Sequence, residues 1–263
     1  MHELERLVND TGVALVGSLE GPVAFGFTER TGGVSKPPYA SLNLGSHVGD
    51  APEAVQENRR RVLAALGCEE ALGRLIVPNQ VHGDHVVTVS SSDAAALGGA
   101  RAEATAGADA VVCTVPGVPV LLCFADCVPV VVVCSGGFAV VHSGWRGTYA
   151  EIAGTAARAL GEATGCAPSD MRAYIGPHIL GDEYEVSAEL IEQFSQRFTD
   201  INPSGPRMLD LSRAITQALV RAGLAEGSVR DTRLSTVRHN DRFYSYRAEN
   251  GSCGRHAAVA VMR

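Results

Sequence analysis

Three side chains in this sequence offer nitrogen or sulfur donors at points where apolar runs end. His82 lies in Asn79-Gln80-Val81-His82-Gly83. Cys127 follows Ala125-Asp126 at a break between two apolar stretches, with Pro129 just after it. His142 closes Ala139-Val140-Val141-His142 and meets the turn Ser143-Gly144-Trp145-Arg146-Gly147. Imidazole and thiolate are the ligands zinc favours, and a catalytic zinc usually keeps three protein ligands and one open position. Cys127 and His142 alone could instead act as nucleophile and base in a cysteine hydrolase. Each residue also has a structural alternative, a hydrogen-bonded core histidine or a small buried thiol. The spacing matches no zinc-finger, Cys-x-x-Cys or His-Glu-x-x-His pattern. His85 stands three residues after His82, which on a strand turns it to the other face, so it is left out of the set.

Convergence of these residues depends on the elements that carry them. Val23 to Thr28 alternates as a strand does, then runs into a long Gly/Pro/Ser-rich loop from Thr31 to Gly49, of a length that is often functional. Pro52 opens a helix to about Leu66, with Val55, Arg59, Val62 and Leu66 at helical spacing and Gly67 as its stop. Apolar runs at Leu75–Val77, Val86–Val89, Ala110–Thr114, Val118–Phe124, Val128–Cys134 and Phe138–His142 suit strands buried on both faces. Ser91 to Gly107 reads as a surface loop or a short helix. Helices are expected at about Thr148–Ala163, Ala188–Phe198 and Leu209–Ala222, and strands at Arg172–Ile175 and Ala257–Met262. Central strands with flanking helices predict an α/β fold, one layered domain over residues 1–263 with a central mixed β-sheet.

The bulk numbers set limits. A chain of 263 residues buries enough surface to need no disulfide scaffold. The seven cysteines, an odd number with several in β-branched stretches, fit a reducing cytoplasm better than a secreted framework. The net charge of −7 argues against a nucleic-acid binder but leaves room for an anionic small substrate in a local arginine pocket. The N-terminus lacks a signal-peptide pattern. The run from Val118 to Val133, broken by Asp126 and Pro129, falls short of the roughly 20 apolar residues of a membrane helix.

Several strings occur in a telling order: Thr28-Glu29-Arg30-Thr31-Gly32-Gly33-Val34-Ser35, Ser41-Leu42-Asn43-Leu44-Gly45-Ser46-His47-Val48-Gly49-Asp50, Asn79-Gln80-Val81-His82-Gly83, Ala125-Asp126-Cys127-Val128-Pro129-Val130 and His142-Ser143-Gly144-Trp145-Arg146-Gly147. Ile175-Gly176-Pro177, Tyr184-Glu185-Val186, Tyr244-Ser245-Tyr246-Arg247 and Gly254-Arg255 follow. Together they resemble the YfiH-like family, long labelled laccase-domain or multicopper polyphenol oxidase proteins, over nearly the whole chain. The sequence departs from that family at Glu183, where many relatives have cysteine, and at Leu234-Ser235-Thr236-Val237, which lacks the cysteines often found there.

The resemblance implies zinc held by His82, Cys127 and His142, and copper binding in vitro is possible because copper outcompetes zinc at most such sites. It implies phosphorolysis of adenosine, guanosine, inosine and S-methyl-5′-thioadenosine, with adenosine deamination at the same site. Zinc lowers the pKa of a bound water from about 15.7 to about 7, which suits attack at purine C6. Phosphorolysis needs fork-shaped cationic donors for phosphate, for which Arg30, Arg146 and Arg255 are candidates, while Asn43 and His47 are candidates for ribose or base. Asp126 is expected to be structural rather than a proton shuttle, and Trp145 to pack. The resemblance also implies a competing role, editing of a cell-wall precursor by removal of misincorporated L-serine. A multicopper oxidase is disfavoured because it needs more grouped histidines than the eight here provide.

Overall fold

The computed structural model describes residues 4–263. Eleven strands and six α-helices are assigned among them. Strands β1 (Glu5–Val8), β2 (Ala14–Ser18), β3 (Val23–Thr28), β6 (Val120–Phe124) and β11 (His256–Met262) form a wholly antiparallel sheet in the order β1-β2-β3-β11-β6. Strands β4 (Val86–Val89), β5 (Ala110–Cys113), β7 (Val128–Cys134), β8 (Gly137–Ser143), β9 (Arg172–Ile175) and β10 (Val229–Asp231) form a mixed sheet ordered β10-β9-β7-β8-β5-β4, parallel only at its two outer pairs.

The alternation of side chains assembles these sheets into layers. Val120, Leu122 and Phe124 of β6 face Val131, Phe138 and Val140 of the mixed sheet in a core between the two sheets. Leu121 and Cys123 point the other way and pack on Val62 and Leu63 of α1 (Pro52–Ala65). Val128, Val130 and Val132 of β7 pack on α4 (Ile152–Thr164) and α6 (Leu211–Arg221). The order is therefore helix, sheet, sheet, helix. Each fully buried Val or Leu contributes about 1.5–3 kcal/mol, so every central strand is held from both sides. The α/β layering expected from the sequence is present, with the strands shared between two sheets rather than one.

Local departures have local causes. The segment Leu75–Val77 forms only a bridge, Ile76 to Val120. Ser91–Gly107 contains α2 (Ala94–Ala106). The helix expected over Thr148–Ala163 is split into α3 (Trp145–Tyr149) and α4, because Glu151 is left-handed at φ 60° and bonds Arg197 and Arg221. Helix α5 (Ala188–Ser195) stops short of Phe198. In α4, a Cβ on Gly154 would lie 2.7 Å from the Ala218 carbonyl oxygen of α6, so only glycine allows that approach.

Glu29, just beyond β3, is wholly buried and bridges Arg6 of β1 (2.7 and 2.9 Å) to Arg242 (3.0 and 2.6 Å). Burial alone would raise its pKa, but the two guanidiniums more than offset this and hold it below the ordinary carboxylate value. A depressed folded-state pKa gives stability that is present above the unfolded pKa of about 4.3 and lost as pH falls through the folded value. Glu29→Gln should therefore cost about 1–3 kcal/mol at neutral pH and less near pH 3. Urea midpoints across pH will check this, and a cost that does not shrink on acidification contradicts it.

Candidate metal centre

The loop Ala125–Cys127 carries the chain from β6 in one sheet to β7 in the other. Cys127 therefore sits at the crossing between the two sheets. Asp126 is left-handed at φ 86°. Its Oδ1 accepts from Thr236 Oγ1 and its Oδ2 from the Arg247 N–H, both at 2.7 Å, so its oxygens brace this crossing. His142, next to the last residue of β8, shares a face with Phe138 and Val140, which directs its ring between the sheets towards Phe124 at 5.3 Å between ring centroids.

His82 is delivered by a loop tied to both sheets. The Gln80 side chain pairs with the backbone of Cys123 in β6 at 2.8 Å in each direction. Asp109, beside β5, accepts from the N–H groups of Val81 (3.1 Å), His82 (3.0 Å) and Gly83 (2.7 Å). His82 takes φ 59°, a left-handed conformation uncommon outside glycine, and these bonds hold it there. The His82 and His142 rings meet edge to face at 4.8 Å.

The ligand atoms of His82, Cys127 and His142 lie within 4.8 Å of one another, the one such cluster of three among the described residues. Asp109 Oδ1 accepts from His142 Nδ1 at 2.7 Å, which leaves Nε2 free to face the thiol, the arrangement typical of metal-ligating histidines. A Cβ on Gly144 would lie 3.1 Å from His82 Cδ2 and 3.3 Å from Cys127 Sγ, so the missing side chain makes room beside the donors. Burial would raise the Cys127 pKa, but the imidazoles of His142 and His82 bring it down to about 6. Burial would lower that of His142, but the Cys127 thiolate and Asp109 carry it up to about 9. A thiolate beside two imidazoles fits a divalent zinc ion well.

The cluster opens on a cavity of about 800 Å³ with apolar walls from Phe124, Ile179, Tyr184 and Tyr246, and polar groups from Ser46, His47, Asn79, Arg59, Arg247 and Arg255. That volume suits a small-molecule ligand. His47 and Arg255, expected from the sequence, line it. Arg30, Asn43 and Arg146 do not. Arg30 is spent on the Ala40 and Asn240 carbonyls and on Glu249, above the Tyr244 ring. Asn43 is wholly buried and shapes its own loop through Gly45, Asp50 and Arg255 N. Arg146 is exposed and lies over Trp145, whose indole packs against the helical core. His85 pairs with Glu103 at the surface.

Asp109, Gln80 and Arg59 were missed in the sequence. The signal for Asp109 was an acid at the edge of an apolar strand, and for Arg59 a charge on the apolar face of α1. The two departures from the resembled family touch each other: the Ser235 hydroxyl donates to Glu183 at 2.7–2.8 Å.

Residues 24–263 match a family described as "Multi-copper polyphenol oxidoreductase laccase". The chain is 36% identical over 254 residues to "Purine nucleoside phosphorylase YlmD" of Geobacillus stearothermophilus, covering 92% of this chain and 91% of that protein. It is 35% identical to a "Purine nucleoside phosphorylase" of Deinococcus radiodurans, covering 94% and 92%. The crystal structure of YlmD from Geobacillus stearothermophilus superposes with a TM-score of 0.85 at 31% identity, over 98% of both chains.

Proposed function

The chain belongs to the multi-copper polyphenol oxidoreductase laccase family, and we propose that it is a zinc-dependent purine nucleoside phosphorylase that also deaminates adenosine at the same site. Its substrates are phosphate and a purine nucleoside: adenosine, inosine, guanosine or S-methyl-5′-thioadenosine. The carrying observation is the His82, Cys127 and His142 cluster lining a cavity of nucleoside size. Relatives named purine nucleoside phosphorylase over nine-tenths of the chain support the reaction class. A multicopper centre would need ligand sets for several ions, and the described residues hold a single cluster.

Zinc held there would supply Lewis acidity and water activation at neutral pH. Asp109 fixes the ring of His142 and the loop of His82, so both imidazoles are oriented before substrate arrives. The walls of Phe124, Tyr184 and Tyr246 give a purine an apolar face on which to bury. In phosphorolysis a phosphate oxygen bonds to C1′ as the bond from C1′ to the base nitrogen breaks. The electron pair leaves with the purine, which takes up a proton, and ribose 1-phosphate remains. Metal-characterised protein incubated with adenosine tests the reading. Adenine formed only with phosphate marks phosphorolysis, and inosine formed with or without phosphate marks deamination. Absence of turnover with every nucleoside refutes the proposal.

A second reading is favoured by one observation: Cys127 stands beside His142, whose ring Asp109 orients, which is the layout of a cysteine hydrolase. His82 separates the two. His82→Ala leaves Cys127, His142 and Asp109 in place, so a hydrolase keeps its activity. A zinc enzyme loses metal affinity and falls by about 10²-fold or more. Zinc content and adenosine turnover of this variant, measured together, decide between them.

A further inference from the structure

We propose that His47, Arg59 and Arg255 form an oxyanion subsite that seats the phosphate co-substrate in the cavity of His82, Cys127 and His142. The assignment rests on the phosphorylase reading and replaces Arg30 and Arg146, which lie elsewhere.

All three residues line the cavity. Among the described residues neither arginine has a carboxylate partner. Both are held by carbonyl oxygens instead. Arg59 donates Nε and Nη2 to the Leu44 carbonyl at 3.1 and 2.9 Å. Arg255 donates Nη1 to the Cys253 and Gly254 carbonyls at 2.9 Å each, and also to Cys253 Sγ at 3.4 Å. Carbonyls fix a guanidinium without neutralising it, so each keeps its charge and its remaining N–H groups for a ligand. The one carboxylate lining the cavity, Asp126, has both oxygens engaged by Thr236 and Arg247 N.

The backbone brings Arg255 and His47 together. A Cβ on Gly45 would lie 2.8 Å from Arg255 Cγ and 3.3 Å from His47 Cε1, so the loop after Leu44 closes on both side chains only because residue 45 is glycine. Asn43 Oδ1 accepts from Arg255 N and from Gly45 N at 2.8 and 3.1 Å, tying the loop to the start of β11. His47 feels burial first and then Arg255 and Arg59, which together lower its pKa. A chain with net charge −7 thus places two guanidiniums on one cavity wall with no carboxylate partner among the described residues. Fork-shaped, charge-assisted donors recognise a tetrahedral dianion, and each such contact is worth about tenfold to a hundredfold in affinity.

The test is calorimetric titration of zinc-loaded protein with inorganic phosphate and, separately, with adenosine 5′-monophosphate. It is applied to the native chain, Arg59→Gln, Arg255→Gln and His47→Gln, with zinc content and circular dichroism recorded for each. Glutamine keeps a donor for the carbonyls and removes the charge. Should one arginine variant fail to fold, the other carries the same test. Phosphate affinity is expected to drop about tenfold to a hundredfold in each arginine variant, with zinc content unchanged and with KM for phosphate rising more than KM for nucleoside. Equal phosphate affinity in native and variant chains overturns the assignment, even if nucleosides are phosphorolysed. Binding of the monophosphate ester without binding of inorganic phosphate overturns it too. Because the titration needs no turnover, loss of phosphate binding in the variants upholds the subsite even where phosphorolysis fails.

Discussion

Cys127→Ala is expected to remove zinc from the protein and to lower nucleoside turnover by about 10²–10³-fold or more, while the fold stays intact. The thiolate is the one anionic donor in the cluster. Without it two imidazoles remain, and they bind a divalent ion far less tightly. The fold should survive because Cys127 is partly exposed at the crossing between the sheets, and the crossing itself is braced by Asp126 through Thr236 and Arg247 N. Cys113 provides the contrast. It is wholly buried between the sheets, and burial pushes its thiol up to about 11. Cys113→Ala should therefore cost about 1–2 kcal/mol of stability and leave zinc binding unchanged. Elemental analysis, circular dichroism and adenosine turnover on both variants check the pair. A Cys127→Ala protein with native zinc content and activity contradicts the metal centre.

The difference between these two cysteines was partly legible in the sequence. Cys113 closes the apolar run Ala110–Cys113, whereas Cys127 follows an acid at a break. Most strands were legible for the same reason, as short β-branched runs between breakers. Their assignment to two sheets was not, because a strand buried on both faces shows no polar side by which its orientation could be read. β1 and β2 escaped notice for reasons of their own. β1 is an edge strand with charged, exposed residues, and β2 contains Gly17, where a Cβ would stand 2.2 Å from the Phe25 carbonyl oxygen. Strand ends pointed to the donor residues. Nearness in sequence misled for Arg30 and Arg146, which neighbour motif residues but turn to Glu249 and Trp145. Arg59 lay in plain view on the apolar spacing of α1, and a cation on that face was the sign that something polar awaited it.

Asp109→Asn should show how far the centre depends on a residue that touches neither metal nor substrate. The carboxylate accepts four hydrogen bonds: Oδ1 from His82 N and His142 Nδ1, Oδ2 from Val81 N and Gly83 N. All four partners are donors, and an ionised carboxylate is acceptor-only. An asparagine amide has one oxygen and one NH₂, so whichever way it turns, two donors face another donor inside a buried site. Each unsatisfied group costs about 1–3 kcal/mol. If the oxygen stays with Val81 and Gly83, His142 loses the acceptor that fixes its tautomer. If it turns to His142, the loop that holds His82 left-handed is released. Both outcomes loosen a ligand, and zinc affinity should fall about 10–100-fold, with apo-protein stability falling as well. Competition with a zinc chelator measures the first effect and urea unfolding of metal-free protein the second. An affinity within about twofold of the native chain would mean that the two histidines are placed without Asp109, contrary to the hydrogen bonds that converge on it.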